Sequence, residues 1–298
     1  MKKQGSGILI IAVGHLNYGR MAANLCASIK LFKDETKVAL AYSESAISRL
    51  NEAELAMFDE KILVDKSMYK LGENTEAFIR TKTYMDKLTP FENTLFLDAD
   101  MVWFGKTSPS KVLESLLGSD FVCSNRGYVD FSNEYLDPKF TQWANVNDIK
   151  ALHEFTEGLF YRYHSEFMYF EHSKEISAYF KEVRKQYDKP LVSQAQFAGA
   201  YPDEIAFGIA GTITGVQTKI DNYNPSYWHT LEKSKEHTHI LAHKFNTYSI
   251  GGNFNDQQTK DNYNRIAKYS YMKMGLLNPY QISNQNDKRR YLKERQLL

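Results

Sequence analysis

Asp98 and Asp100 are the residues whose type and spacing speak most directly of chemistry. They close the apolar run Thr94-Leu-Phe-Leu-Asp-Ala-Asp-Met-Val-Trp-Phe104. Side chains alternate along a strand, so carboxylates two apart point the same way and can share one hard divalent cation where the strand end is open. Such an ion suits a phosphate-bearing ligand.

Two phosphate chemistries fit the sequence poorly. Gly14-His-Leu-Asn-Tyr-Gly19-Arg20-Met21 has the glycine spacing of a P-loop, but Arg20 and Met21 stand where that loop needs Lys for the phosphates and Ser or Thr for magnesium. A dinucleotide G-x-G-x-x-G is absent. Asp98-Ala-Asp100-Met-Val102 resembles the D-x-D-x-[TV] signature of haloacid-dehalogenase-type phosphatases, in which Asp98 would be the nucleophile and Asp100 the acid. That motif ordinarily opens a chain, and no Gly-Asp dipeptide follows to complete it.

The elements that must position the carboxylates alternate through the first 125 or so residues. The pattern predicts strands at Ile8 to Val13, Lys37 to Tyr42, Lys61 to Val64, Thr94 to Leu97 and Asp120 to Ser124. Between them it predicts helices at Asn17 to Phe32, Ser45 to Met57, Thr75 to Leu88 and Ser110 to Leu117. This order implies an α/β fold with a Rossmann-like, mainly parallel sheet flanked by helices, binding ligands beyond the carboxyl ends of its strands. The second half is less regular: a Tyr- and Phe-rich stretch from Tyr128 to Phe170, a helix from Lys174 to Tyr187, a short helical segment opening at Pro202, a strand from His239 to Ala242, and a helix over Asp256 to Met274. One continuous domain over 1–255 is expected, with 256–298 a C-terminal helical extension and basic tail.

The third chemistry is that of a metal-dependent glycosyltransferase, whose D-x-D holds a cation against the diphosphate of a nucleotide sugar. From about residue 8 to 250 the chain resembles the glycogenin-like family of retaining glycosyltransferases, which have the GT-A fold. Ala12-Val13-Gly14-His-Leu-Asn-Tyr18 resembles the family's uridine-binding turn, and the resemblance implies that Tyr18 stacks on the base; packing at the helix entry is its structural alternative. Phe58 to Asp65 resembles the third strand. Lys82 precedes the D-x-D by the family's interval and would reach the donor phosphate or sugar, with Arg80 a neighbouring candidate. The resemblance thus assigns donor binding to Ala12, Val13, Gly14, Tyr18, Arg80, Lys82, Asp98, Ala99, Asp100 and Lys244.

Tyr163-His164-Ser165-Glu166-Phe167 resembles the family's Asn-Ser-Gly strand, which lines the sugar and acceptor pocket. Here His164 replaces Asn, and Glu166 replaces a Gly that permits close backbone approach. Pro202-Asp203-Glu204 resembles the Asp-Gln helix start, so Asp203, Glu204 and Lys82 form the implied catalytic set; a plain helix cap is the alternative for Asp203. Ile240-Leu-Ala-His243 resembles the strand carrying the third metal ligand. Asp98, Asp100 and His243 would then hold Mn2+, or Mg2+, and imidazole with two carboxylates suits manganese better than calcium. The family's Gly-x-x-Lys-Pro-Trp is replaced by Lys244-Phe-Asn-Thr-Tyr-Ser-Ile-Gly251.

The resemblance implies hexosyl transfer from a nucleotide sugar, UDP-linked in the first instance, to an acceptor hydroxyl with retention. A degenerate member that binds sugar nucleotides without turnover is the non-enzymatic alternative. Glycan, lipid-linked glycan and protein acceptors all fit, and a hydroxymethylated base in DNA is a further class, because the basic run Asp287 to Arg295 could meet phosphate. A net charge of +1 over 298 residues gives no bulk case for nucleic acid or an anionic membrane. The aromatic stretch around Trp143, Phe155, Phe160, Tyr161 and Tyr163 is compatible with a core, a stacking surface or a homodimer face. Cys26 and Cys123 read as buried thiols in a reducing compartment. With no signal-peptide core and no membrane span, the expectation is a cytoplasmic protein.

Overall fold

Ser6–Ala12 (β1) is buried on both faces, so its side chains feed two separate cores: Ile8 and Ile10 on one side, Leu9 on the other. Burial of this kind requires layers above and below the sheet. In the computed structural model, which describes residues 3–71, 75–103, 107–141, 143–189, 202–221, 247–249 and 257–276, those layers are helical. The sheet order is β3-β2-β1-β6-β9-β8, with β2 at Lys37–Tyr42, β3 at Glu60–Leu63, β6 at Asn93–Asp98, β8 at Phe121–Asp130 and β9 at Leu159–Glu171. β1, β2, β3 and β6 run parallel, whereas β9 is antiparallel to both β6 and β8. Two small ribbons complete the strands: β4 (Lys70–Leu71) with β5 (Thr75–Glu76), and β7 (Met101–Trp103) with β10 (Thr247–Ser249).

One face is covered by α1 (Leu16–Lys30), α5 (Pro109–Leu116) and a C-terminal helix, Gln257–Lys273, numbered α9 here. The other is covered by α7 (Lys174–Tyr187) and α8 (Asp203–Thr214), which bring Tyr179, Phe180, Val183 and Phe207 against Phe96, Met168 and Phe170. A third, smaller core lies under the excursion between β8 and β9, where Phe131, α6 (Val146–Leu152) and Phe160 meet Ile205 and Ile209. The α/β class, the mainly parallel sheet and the C-terminal helical extension all stand as expected. No described helix is long and apolar enough to cross a membrane.

Three expected elements differ. Ser45 to Met57 is not one helix but two, α2 (Glu44–Ile47) and α3 (Glu52–Ala56): the first ends at its Ser48 cap, and Asn51 starts the second. Its side chain accepts from the Glu54 amide while Glu54 reaches back to the Asn51 amide, a reciprocal capping box. Thr75 to Leu88 opens as strand β5, continues as a 3₁₀ segment at Phe78–Tyr84 and becomes α-helical only at Met85–Leu88 (α4). β-Branched Ile79, Thr81 and Thr83 lower the helical preference of this stretch, and the Ala77 amide is already donated to Tyr69. The segment at Pro202 is longer than expected and runs to Thr214, where Gly215 ends it with φ +73°. The expected strand His239 to Ala242, His243, Lys244 and the basic run Asp287 to Arg295 lie outside the described residues.

The glycine spacing of the Gly14 to Gly19 turn has a packing explanation. Gly14 adopts φ +89°, and a Cβ there would sit 2.7 Å from the Phe78 ring. A Cβ on Gly19 would overlap the backbone carbonyl of Ala46, so α1 touches α2 only because Gly19 has no side chain. Gly19→Ala is therefore expected to push the two helices apart and cost about 1–3 kcal/mol of stability, read by denaturant unfolding. A neutral result would mean that α2 shifts freely.

Candidate active site

β6 delivers Asp98 as its last residue, and the chain turns through Ala99 and Asp100 into β7. Asp100 therefore lies in the turn and not on the strand itself, which corrects the simple alternation argument but keeps both carboxylates at the carboxyl end of the sheet. Lys82, expected from its distance to the D-x-D, arrives from the 3₁₀ segment and donates to Asp98 Oδ2 at 2.7 Å and to Ser165 Oγ at 3.3 Å. Its ammonium also lies 3.9 Å from Asp203 Oδ2 and over the face of Phe96, 5.7 Å from the ring centroid.

Ser165 reaches this cluster because β9 is irregular. Cys123 pairs with Met168 but its neighbour Ser124 pairs with His164, so Ser165, Glu166 and Phe167 have no counterparts on β8. The bulge turns Ser165 toward Lys82 and Asp203. Glu166, at the position where the resembled family has Gly, is buried in it at 7% exposure. Asp203 opens α8, whose cap position is Pro202, so Asp203 is not the helix cap. It is 5% exposed, and its Oδ2 accepts no hydrogen bond among the described residues.

Next to Asp203, Glu204 ties in a second group. Trp143 Nε1 donates to Glu204 Oε2 at 2.5 Å, and His164 Nδ1 lies 3.5 Å from Glu204 Oε1. Tyr18, at the start of α1, is 39% exposed, so its ring is available as a surface and not used as a buried staple. Burial raises its phenol, and the charges of Asp100 and Asp98 raise it further. Gly14 hydrogen-bonds through its amide to Ser43 and through its carbonyl to Ser45, fixing the turn that carries Tyr18.

The electrostatics are those of a site short of positive charge. Burial raises Asp98 above the ordinary carboxylate range; Lys82 opposes this, while Asp203 and Glu204 add to it. Asp203 is raised for the same reasons, burial first, with Lys82 and a hydrogen bond from Ser165 opposing. Burial alone would lower the Lys82 ammonium, yet Asp98, Asp203 and Asp100 outweigh it and hold it above the ordinary lysine value. Among the described residues carboxylates thus outnumber the Lys82 ammonium, and hard oxygen donors at a strand end fit a divalent cation. Among the described residues no three His, Cys, Asp or Glu side chains gather as a metal cluster. The expected third ligand, His243, is outside them.

Lys82, Asp98, Asp203 and Ser165 are therefore brought together, with Asp100 in the turn that follows Asp98 and His164 and Glu204 adjoining; Tyr18 feels the charges of both aspartates. Arg80 is not. It donates to both carboxylate oxygens of Asp188, at 2.6 and 2.7 Å, and to the Ser67 carbonyl at 2.7 Å. The bond from Trp143 to Glu204 has no sequence signal. Cys26 and Cys123 are buried free thiols whose pKa values burial pushes up, so neither is a nucleophile.

No family model matches the chain, and no curated protein matches it in sequence. Among solved structures it is similar to the bifunctional glycosyltransferase WbbM in its apo form, at 11% identity and a TM-score of 0.57, over 91% of this chain and 51% of that one. It is also similar to galactosyltransferase LgtC in complex with donor and acceptor sugar analogues, at 11% identity and a TM-score of 0.52, over 88% and 95% of the two chains. The chain spans about half the length of WbbM and nearly all of LgtC. At 11% identity the likeness is one of fold.

Proposed function

We propose that this chain is a metal-dependent glycosyltransferase that moves a hexose from a nucleotide sugar, UDP-linked in the first instance, to an acceptor hydroxyl with retention. The observation that carries the reading is the convergence on Lys82 of Asp98 from the end of β6, Ser165 from the β9 bulge and Asp203 from the start of α8. WbbM and LgtC, which share the fold, are both glycosyltransferases, and this supports the reading.

Asp98 and Asp100, joined by His243, would hold Mn2+ or Mg2+, which when bound neutralises the diphosphate of the donor. Lys82 supplies a fixed positive charge at the same end of the sheet, where charge develops as the sugar–phosphate bond breaks. Lys244 is proposed as a second such group. Tyr18 offers an exposed ring to the base, and Asp203, held by Ser165 and Lys82, orients the sugar. Among the described residues no side chain stands as an obvious nucleophile, so the acceptor attacks from the face the diphosphate leaves, with its proton passing to a departing phosphate oxygen. A phosphatase using Asp98 as nucleophile fits less well, because no Gly-Asp dipeptide follows to complete its motif. Residues 1–255 would form the catalytic unit, and α9 in the extension shares its core through Tyr263, Ala267 and Tyr271.

The test is incubation with a panel of nucleotide sugars, with Mn2+, with Mg2+ and with chelator. Release of nucleoside diphosphate from one donor is expected, abolished by chelation and restored by metal, and NMR of the product should show the donor's anomeric configuration. Donor binding without release would convert the reading to a binding protein. No donor binding and no release would end it.

A further inference from the structure

The segment that carries Lys82 is wound more tightly than an α-helix, and for longer than such winding usually lasts. Phe78–Tyr84 keeps 3₁₀ geometry over 7 residues, whereas runs beyond about three or four are uncommon because the hydrogen bonds are poorer. Bonds spanning three residues mark it, from the Arg80 amide to the Ala77 carbonyl at 2.8 Å and from the Met85 amide to the Lys82 carbonyl. A run of this length needs support from outside its own ladder, and the last turn of α7 supplies it.

Arg184, on that turn, donates through Nη1 to the Thr83 carbonyl at 2.8 Å and to Asp86 Oδ1 at 2.6 Å. Asp86 is 2% exposed, so one guanidinium holds a buried carboxylate and a backbone carbonyl of the tight segment together. Arg80 makes the return link, from within the segment to Asp188 at the end of α7 and to the Ser67 carbonyl. Both guanidiniums lie over the Tyr84 ring, 5.1 Å from its centroid for Arg80 and 5.0 Å for Arg184. Inside the segment the Thr83 hydroxyl donates to the Arg80 carbonyl at 2.8 Å, a further bond across three residues.

Winding decides where Lys82 points. A 3₁₀ helix turns about 120° and rises about 2.0 Å per residue, an α-helix about 100° and about 1.5 Å, so between Phe78 and Lys82 the two windings diverge by about 80° and about 2 Å. A change of that size breaks the contacts of Lys82 Nζ with Asp98 Oδ2 at 2.7 Å and with Ser165 Oγ at 3.3 Å.

We propose that Arg184 is a positioning residue: by holding the Thr83 carbonyl and Asp86 it keeps Phe78–Tyr84 in 3₁₀ winding, and that winding aims Lys82 at Asp98. The consequence for turnover rests on the glycosyltransferase reading, whereas the aim of Lys82 does not.

Arg184→Lys is the variant to test, because it keeps a cation beside Asp86 but loses the planar fork that serves two acceptors and lies over Tyr84. The whole chain is labelled with 13C,15N-lysine, and the Lys82 side-chain signal is assigned by its loss in Lys82→Met. In the parent this signal should shift on Asp98→Asn; in Arg184→Lys it should move to the position of the exposed lysines and no longer respond to Asp98→Asn. Nucleoside-diphosphate release is measured alongside. Arg184→Lys should lower kcat about tenfold in the parent but by less than about twofold in Lys82→Met, because the effect passes through Lys82. If Arg184→Lys melts too low to measure, Arg184→Met with Asp86→Asn removes the buried pair together and is read in the same way. An unmoved Lys82 signal, or an equal fall of kcat in both backgrounds, overturns the proposal. If the signal moves as expected and the parent turns over no donor, the positioning stands and the glycosyltransferase reading falls.

Discussion

Lys82→Met is expected to lower kcat for nucleoside-diphosphate release by about 10²–10³-fold, the cost of removing one preorganised group from a site where negative charge develops. Methionine keeps an unbranched apolar stem of similar length, so what is lost is the charge, including the ammonium over the Phe96 ring. Lys82 is also the cation between Asp98 and Asp203, 2.7 and 3.9 Å away. Without it both carboxyls, already raised by burial, rise further, and the folded state takes up protons that the unfolded chain does not hold. A group whose folded pKa is raised favours the fold at acid pH and loses that advantage as pH climbs from the unfolded value through the folded one. The variant should therefore melt lower than the parent at neutral pH and recover part of the difference on acidification. Lys82→Arg restores the charge but not the compact ammonium that fits between two carboxylates and a serine, so partial rescue of kcat is the expected signature of an electrostatic role. Wild-type kcat in Lys82→Met would remove Lys82 from the chemistry and leave it as a structural counter-ion.

Much of this site was legible in the sequence because its first half is built from local patterns. β1, α1, β2 and the strand ending at Asp98 follow hydrophobic period, whereas Lys82 is singled out by the family resemblance, through its interval to the D-x-D. What escaped is non-local. β9 carries Phe, Tyr and Met on both faces because both are covered, so no alternation marks it as a strand, and its antiparallel placement between β6 and β8 follows from pairing alone. The bulge that turns Ser165 inward depends on a register shift against β8, which no single-strand pattern encodes. Trp143 meets Glu204 across 61 residues, a contact set by how the excursion before β9 folds over α8. Arg80 shows the reverse error: its neighbourhood to Lys82 suggested phosphate binding, but in a 3₁₀ segment the two side chains diverge, and Arg80 pairs with Asp188 at the end of α7.

Glu54→Ala is expected to cost about 3–5 kcal/mol, the range for stripping one partner from a buried ion pair. Glu54 is 1% exposed and Arg20 5%. Glu54 Oε1 accepts from Arg20 Nη1 and from the Tyr271 hydroxyl at 3.1 Å, while Oε2 accepts the Asn51 amide at 2.8 Å. One carboxylate thus joins α1, the start of α3 and α9, and burial together with Glu54 holds the Tyr271 phenol above its ordinary range. Removing it leaves the Arg20 guanidinium buried with, among the described residues, the Arg49 carbonyl as its acceptor, and breaks the capping box of α3. For a domain of this size such a loss lowers Tm by roughly 6–15 °C. Pairing it with Arg20→Met should return much of the stability, since the cost lies in the orphaned charge more than in the missing bond. α1 also carries Tyr18 toward the D-x-D, and Asn24 on the same helix donates to Tyr263 of α9 at 3.2 Å. A C-terminal helix remote from the carboxylates therefore helps hold the helix that presents Tyr18. If Glu54→Ala weakens donor binding as well as lowering Tm, while Arg20→Met with Glu54→Ala restores both together, the three-helix contact is part of what positions the site. Recovery of stability without recovery of donor binding would show that the buried pair holds the fold and nothing more.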